Sequence, residues 1–288
     1  MTVGTTVPRR LLSALLCGVV TALVAGCGAE GGPTVLTVSA SPDRQNTLLA
    51  NIYAAGLRYY GTAVRVEVAP DPLAELDAGK ASVTTGFTGR LLQRFAPGSA
   101  ARAPESVYRA MIGALPEGLA AGDYAVAAED KPALAVTDAT AAAWGSRDLA
   151  AVVRHCGAFS VGTVTGAEAP DRVGDCALPA PREFGTAVML FDALRAGQIT
   201  AAWTTTAGTA TPDTAVVLVD RKPALVPAQN VVALYRRNEL SKMQLRAVNE
   251  IAGVLDTAAL VQMSREVDDG ADPAAVAEEW LTANPLGR

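Results

Sequence analysis

Val35-Leu36-Thr37-Val38 is a short, mostly aliphatic run, the pattern of a strand covered on both faces. Helical spacing follows over 43–60, where Leu48, Ile52 and Ala55 recur on one face. Over 63–69, Val64, Val66 and Val68 alternate with Arg65 and Glu67, the period of two that makes a strand. A short helix at 73–78 leads to the strand Val83-Thr84-Thr85-Gly86-Phe87. Leu91, Leu92 and Phe95, then Val107, Met111 and Leu115, space two further helices. Later strands are expected at 133–136, 159–164, 199–203, 216–219 and 231–235, and from Leu240 onward the chain reads mostly as helix. There Asp272-Pro273 supplies an N-cap with proline at the first helical position, and Val276 and Trp280 share a face. Strands alternating with helices predict an α/β fold, not a sandwich or a bundle.

The N-terminus changes the picture. Arg9 and Arg10 precede an uncharged apolar run over 11–25 that ends Val24-Ala25-Gly26-Cys27. A membrane-spanning helix needs roughly 20 apolar residues, usually with a charged anchor behind them. This run is shorter, and Gly28-Ala29-Glu30-Gly31-Gly32 follows it. Residues 1–27 therefore read as a lipoprotein signal peptide ending in a lipobox, and 28–33 as a flexible stalk. The thiol of Cys27 would carry diacylglycerol, which tethers the chain at the outer face of the cytoplasmic membrane. A plain cleaved signal with an incidental cysteine leaves unexplained why small residues and cysteine coincide at the end of the run.

Charge excludes one class of partner. Cleavage before Cys27 would remove two of the 24 basic residues, leaving 22 against 29 acidic ones, a net of −7. Such a surface repels nucleic acid, and no basic stretch with interleaved aromatics occurs. About 260 residues remain, enough for one large or two modest domains with a full core.

Cys17 lies inside the signal and Cys27 is the anchor, so Cys156 and Cys176 are left in the body. In an exported chain the default for two such cysteines is a disulfide. The competing reading is a metal site with His155, the sole histidine. Zinc needs three or four placed ligands, and the side chains of 155 and 156 point apart, so no metal is expected. A single histidine also weakens most hydrolase readings, and GxSxG, HExxH, GxxxxGK[ST] and GxGxxG are all missing from the mature chain. Asp268-Asp269 and Glu278-Glu279 sit in amphipathic surroundings, as a solvated face or cap does. The expectation is a protein that is not an enzyme and has no cofactor.

From Ser41 to the C-terminus the chain resembles the substrate-binding proteins of glycine betaine, choline and carnitine ABC importers, the OpuAC or ProX-type family. The matching stretches are SPDRQNTLLANIYAAGLRYYG, GFTG, ALAVTDATAAAWGSRDLA, LFDALRAGQITAAWTTT, DRKPALVPAQNVVALYRRNEL and REVDDGADPAAVAEEWL. Their order and spacing over nearly the whole mature chain carry the likeness. The resemblance implies a type II periplasmic-binding-protein fold, two α/β lobes joined by a two-segment hinge. Lobe one would hold 34–131 plus 210–288 and lobe two 132–209, with hinge segments near 130–132 and 205–212. It further implies a monomer that receives a small-molecule solute and passes it to an importer permease.

In that family aromatic rings cage a trimethylammonium group through cation–π attraction. The resemblance puts Phe87 and Trp203 at two cage positions, facing each other across the cleft, with Thr88, Thr204, Pro132 and Asn230 as further ligand-binding residues. Alternatively each ring packs its own lobe. The sequence also departs from the family: Pro132 replaces one ring, Phe159 is the sole aromatic of the 156–176 loop, and Gln229-Asn230 stands for a Tyr-Asn pair. The solute implied is small and polar, like a quaternary-ammonium osmoprotectant. The eroded cage keeps a second reading open, a lipoprotein of this fold that senses a ligand or scaffolds the envelope without transport.

Overall fold

A computed structural model describes residues 1–4, 35–157 and 160–287. Residues 5–27 of the signal peptide, Cys27 included, the 28–33 stalk and Phe159 lie outside the described residues. From Val35 to Arg288 the chain forms one compact unit. Its elements run β1 (Leu36–Ala40), α1 (Arg44–Tyr59), β2 (Val64–Val68), α2 (Pro72–Asp77), β3 (Val83–Phe87), α3 (Thr88–Phe95), α4 (Pro104–Ala114) and β4 (Leu119–Ala121). Next come β5 (Pro132–Thr137), α5 (Asp138–Trp144), α6 (Ala150–Arg154), β6 (Val161–Val164), β7 (Arg172–Val173), β8 (Cys176–Ala177), β9 (Arg182–Phe184), α7 (Ala187–Arg195), β10 (Ala201–Thr205) and β11 (Ala215–Val217). The chain closes with β12 (Val231–Arg236), α8 (Lys242–Val254), α9 (Thr257–Asp268) and α10 (Pro273–Ala283).

The strands form two mixed five-stranded sheets, ordered β2-β1-β3-β12-β4 and β11-β5-β10-β6-β9. Each is covered on both faces, so successive side chains of a central strand enter different cores. In β12, Val231 and Ala233 join the core under α1, α8, α9 and α10, whereas Val232 and Leu234 join the one under α2, α3 and α4. In the second sheet, Leu134, Val136, Ala201 and Trp203 pack toward α5 and α6, while Ala135 and Ala202 pack toward α7. The helix starts are locally encoded: Asp43, Asp71, Ser241, Asp256 and Asp272 each accept a backbone N–H of the first turn. Both α/β lobes of the expected fold are present.

One boundary differs from the expectation. The resemblance places residues from 210 on in lobe one, yet β11 adds to the second sheet, with Ala215, Val216 and Val217 opposite Thr137, Val136 and Ala135. Those residues satisfy their backbone groups on the open edge of β5, which no local pattern in the sequence encodes.

Cys156 and Cys176 are bonded, with their Cα atoms 5.6 Å apart, as expected. His155 stacks on Trp144, with ring centroids 5.1 Å apart, so it belongs to packing. Among the described residues no group of three or more His, Cys, Asp or Glu could hold a metal, and no helix is long and apolar enough to cross a membrane. Reducing the protein, or replacing both cysteines by serine, should cost about 3 kcal/mol of stability through the freed 20-residue loop. Denaturant titration with and without reductant measures it; coincident curves would mean the loop is held by packing alone.

Candidate functional site

The two sheets are joined where three stretches of backbone lie side by side. At 129–131 the chain enters β5, at 205–207 it leaves β10, and at 229–230 it returns to β12 after the β11 excursion. Asp130 N–H donates to Gln229 O at 2.9 Å, and Glu129 bridges Asn230 in antiparallel register. Thr206 N–H donates to Lys131 O, and Lys131 N–H donates to Thr206 Oγ1, both at 3.0 Å. The Lys131 ammonium sits between Glu129 Oε1 at 3.3 Å and Asp220 Oδ2 at 3.6 Å. The junction is a hydrogen-bonded ladder closed by a mostly buried ion-pair network.

Asp130 is its central charge. The side chain is 5% exposed, and its Oδ1 accepts the Ala207 N–H at 3.0 Å. Its nearest cation is Arg90 Nη2, at 4.0 Å from Oδ2. The Arg90 guanidinium has other partners as well. It lies over the Phe87 ring, 4.8 Å from the centroid, and its Nε is 3.4 Å from Glu168 Oε2 on the loop after β6. Arg90 therefore links a ring of the first sheet, a carboxylate of the junction and a carboxylate of the second lobe. The backbone N–H of Arg90 donates to Gln229 Oε1 at 2.8 Å, which fixes the start of α3 against the returning chain.

Beside the junction is a cavity of about 190 Å³. Arg44 from the start of α1, Asp130, Thr205 and Thr209 from the crossings, and Ser264 and Asp268 from α9 line it. Thr209 Oγ1 donates to Asp268 Oδ2 at 2.7 Å, and Arg44 meets Asp268 Oδ1 at 3.4 Å. Gln45, Ala207, Gly208 and Val267 complete the lining, which carries no ring.

The six residues expected to bind ligand fall into two groups of three. On the first sheet, Phe87 and Val231 are register partners; Asn230 N–H donates to Thr88 Oγ1 at 3.1 Å, and Thr88 N–H to Asn230 O at 2.9 Å. The Asn230 amide is itself tied to Ala125 O at 3.0 Å. On the second sheet, Trp203, Thr204 and Thr205 stand opposite Leu134, Ala133 and Pro132, and Thr204 Oγ1 pairs with Thr211 Oγ1 at 2.6 Å. None of the six lines the 190 Å³ cavity.

Both rings are buried in the core of their own lobe, the alternative that the sequence leaves open. Trp203 is 4% exposed among Leu134, Leu149, Val152 and Val216, because its place in β10 turns it toward the α5–α6 side. Phe87 is 1% exposed in the core that also holds Tyr53, Val83 and Ala207, with Arg90 over one face. Sequence reasoning gives Arg90 and Ser264 no role, places Asp130 only in a hinge segment and reads Asp268 only as part of a solvated face or cap. Arg90 lay in plain view in GFTGR, three positions after the ring it covers.

Residues 183–283 match the family model for the substrate-binding domain of ABC-type glycine betaine transport systems (OpuAC). No curated protein sequence matches the chain. Among solved structures, a glycine betaine/carnitine/choline ABC transporter protein is similar at 15% identity, covering 86% of this chain and 98% of its own, with a TM-score of 0.69. Apo YehZ from Escherichia coli is similar at 17% identity, with coverage of 88% and 100% and a TM-score of 0.67. An ABC-transporter choline-binding protein solved with choline is similar at 14% identity, with coverage of 87% and 89% and a TM-score of 0.52. At these identities the structural likeness is one of fold.

Proposed function

We propose that this chain, whose residues 183–283 match the family model for the substrate-binding domain of ABC-type glycine betaine transport systems, is an extracytoplasmic receptor that closes on a small polar solute and delivers it to an importer permease. It works as a monomer, tethered through lipid on Cys27. The observation that carries the reading is the junction: two lobes meet at a narrow hydrogen-bonded ladder, with a polar cavity beside it and the cross-lobe Arg90–Glu168 pair nearby. Such an arrangement supports hinge closure on a ligand, because a few crossing residues absorb the rotation while each sheet keeps its own core. An exposed ion pair is worth only about 0–1 kcal/mol, so Arg90–Glu168 can yield when the lobes part.

The test is a thermal-shift screen of the purified chain against betaine, choline, carnitine, proline, glycine, ethanolamine and small sugars. A solute bound only by the native state raises the melting temperature by mass action. At least one should do so in a dose-dependent manner; a flat response to all of them counts against a solute receptor. For the tether, Cys27→Ala should shift the protein from the membrane fraction to the medium or leave an uncleaved precursor. Fatty-acid labelling that survives Cys27→Ala would refute the anchor.

A further inference from the structure

We propose that the 190 Å³ cavity beside the junction takes a small protonated amine, a cation with N–H donors, in preference to a quaternary ammonium. This rests on the solute-receptor reading and narrows it. The first ground is the lining, which contains hydroxyls and carboxylates and no aromatic ring. A quaternary ammonium has no N–H to donate and gains its binding from aromatic faces. Phe87 does not line the cavity, and it has the Arg90 guanidinium over its face. A primary ammonium carries three donors, and beside the Arg44 guanidinium the wall holds the carboxylates of Asp130 and Asp268 and the hydroxyls of Thr205, Thr209 and Ser264 to accept them.

The second ground is charge. Arg44 is turned to Asp268, meeting its carboxylate at 3.4 Å and its backbone carbonyl at 3.2 Å. Arg90 is divided between Glu168 and Asp130, and it stands at 4.0 Å from the latter. Two guanidinium groups thus face three carboxylates, and the most buried of the three, Asp130, has the longest ion-pair distance. A buried carboxylate left partly compensated is costly, so a ligand cation that reaches Oδ2 gains more than it would at the surface. The third ground is Ser264, a lining residue whose buried hydroxyl has no hydrogen-bond partner. Buried polar atoms are nearly always satisfied, and a donor–acceptor ligand in the cavity gives this one a partner. The volume lies below the roughly 300–1,000 Å³ of pockets for drug-sized ligands, which restricts the solute to a few heavy atoms.

Two pairs of probes differ only by three N-methyl groups: ethanolamine against choline, and glycine against glycine betaine. Calorimetric titration of the full chain should find the unmethylated member of at least one pair binding about tenfold or more tightly, the margin that lost charge-assisted hydrogen bonds produce. Asp130→Asn keeps an oxygen for the Ala207 N–H and removes the charge. It should weaken that solute by about tenfold or more at little change in the melting temperature of the free protein. Ser264→Ala should leave stability unchanged and weaken the same solute severalfold, and it decides the matter if Asp130→Asn fails to fold. Choline or glycine betaine binding as tightly as its unmethylated partner overturns the inference. So does unchanged affinity in a folded Asp130→Asn, or in Ser264→Ala where Asp130→Asn fails to fold. If none of the four solutes binds while another in the screen stabilises the chain, this inference falls and the receptor reading stands.

Discussion

Trp203→Ala should unfold the second lobe's core before it affects any ligand. The indole is 4% exposed and fills the space between Leu134, Val136, Leu149 and Val216 under α5 and α6. Truncation removes its apolar area from the core and leaves a void that the flanking strands cannot close, since β10 is held between β5 and β6. The cost expected for a buried tryptophan is about 3–5 kcal/mol. For a chain of this size that is a drop in melting temperature of roughly 10 °C or more. Solute affinity, measured well below the transition, should change by no more than about threefold, because Trp203 does not line the junction cavity and its side chain lies on the core side of β10. Calorimetry on the free protein and titration with the best solute of the screen separate the two effects. A large loss of affinity with an unmoved melting temperature would return the ring to a ligand site.

The choice between core and cleft for this ring is where the sequence stops being informative. Period two along 63–69 and helical spacing along 43–60 locate β2 and α1 within a residue or so, and Asp272 caps its helix as its position suggests. Local rules suffice there because the interactions are local. Which face of β10 carries Trp203 is another matter. Both faces of the sheet are covered, so Ala201, Ala202 and Trp203 are all buried and the alternation that would assign a side is missing. The short strands β4, β7, β8 and β9 were likewise unread, since two or three residues give no period. The junction is the extreme case. Asp130 receives Ala207 N–H from 77 residues away, and Arg90 meets Glu168 across 78. No spacing rule joins such positions, whereas the disulfide was legible because only two cysteines remained to pair.

Gly89→Ala should destabilise the protein even though the same exchange normally strengthens a helix. Gly89 is the second residue of α3, where alanine in place of glycine is ordinarily worth about 0.5–1 kcal/mol. A Cβ at this position, however, would stand 2.5 Å from the Ala228 carbonyl oxygen and 2.8 Å from Gln229 Nε2. Neither can easily retreat. Ala228 N–H is bonded to Arg102 O, Gln229 Oε1 holds the Arg90 N–H, and Gln229 O holds the Asp130 N–H. Relief therefore requires 228–230 to move away from α3, stretching the Thr88–Asn230 pair and displacing the backbone of Asp130. Overpacking of this kind costs about 1–3 kcal/mol, and here it outweighs the helical gain. Because Asp130 lines the cavity, solute affinity should fall as well. Gly113→Ala is the matched control: it lies in α4, nothing approaches within 4 Å of the added methyl, and it should stabilise by about 0.5–1 kcal/mol. Denaturant unfolding of the two variants should shift the midpoint in opposite directions. Equal gains in both would mean the returning chain yields freely, and that the junction is looser than its hydrogen bonds imply.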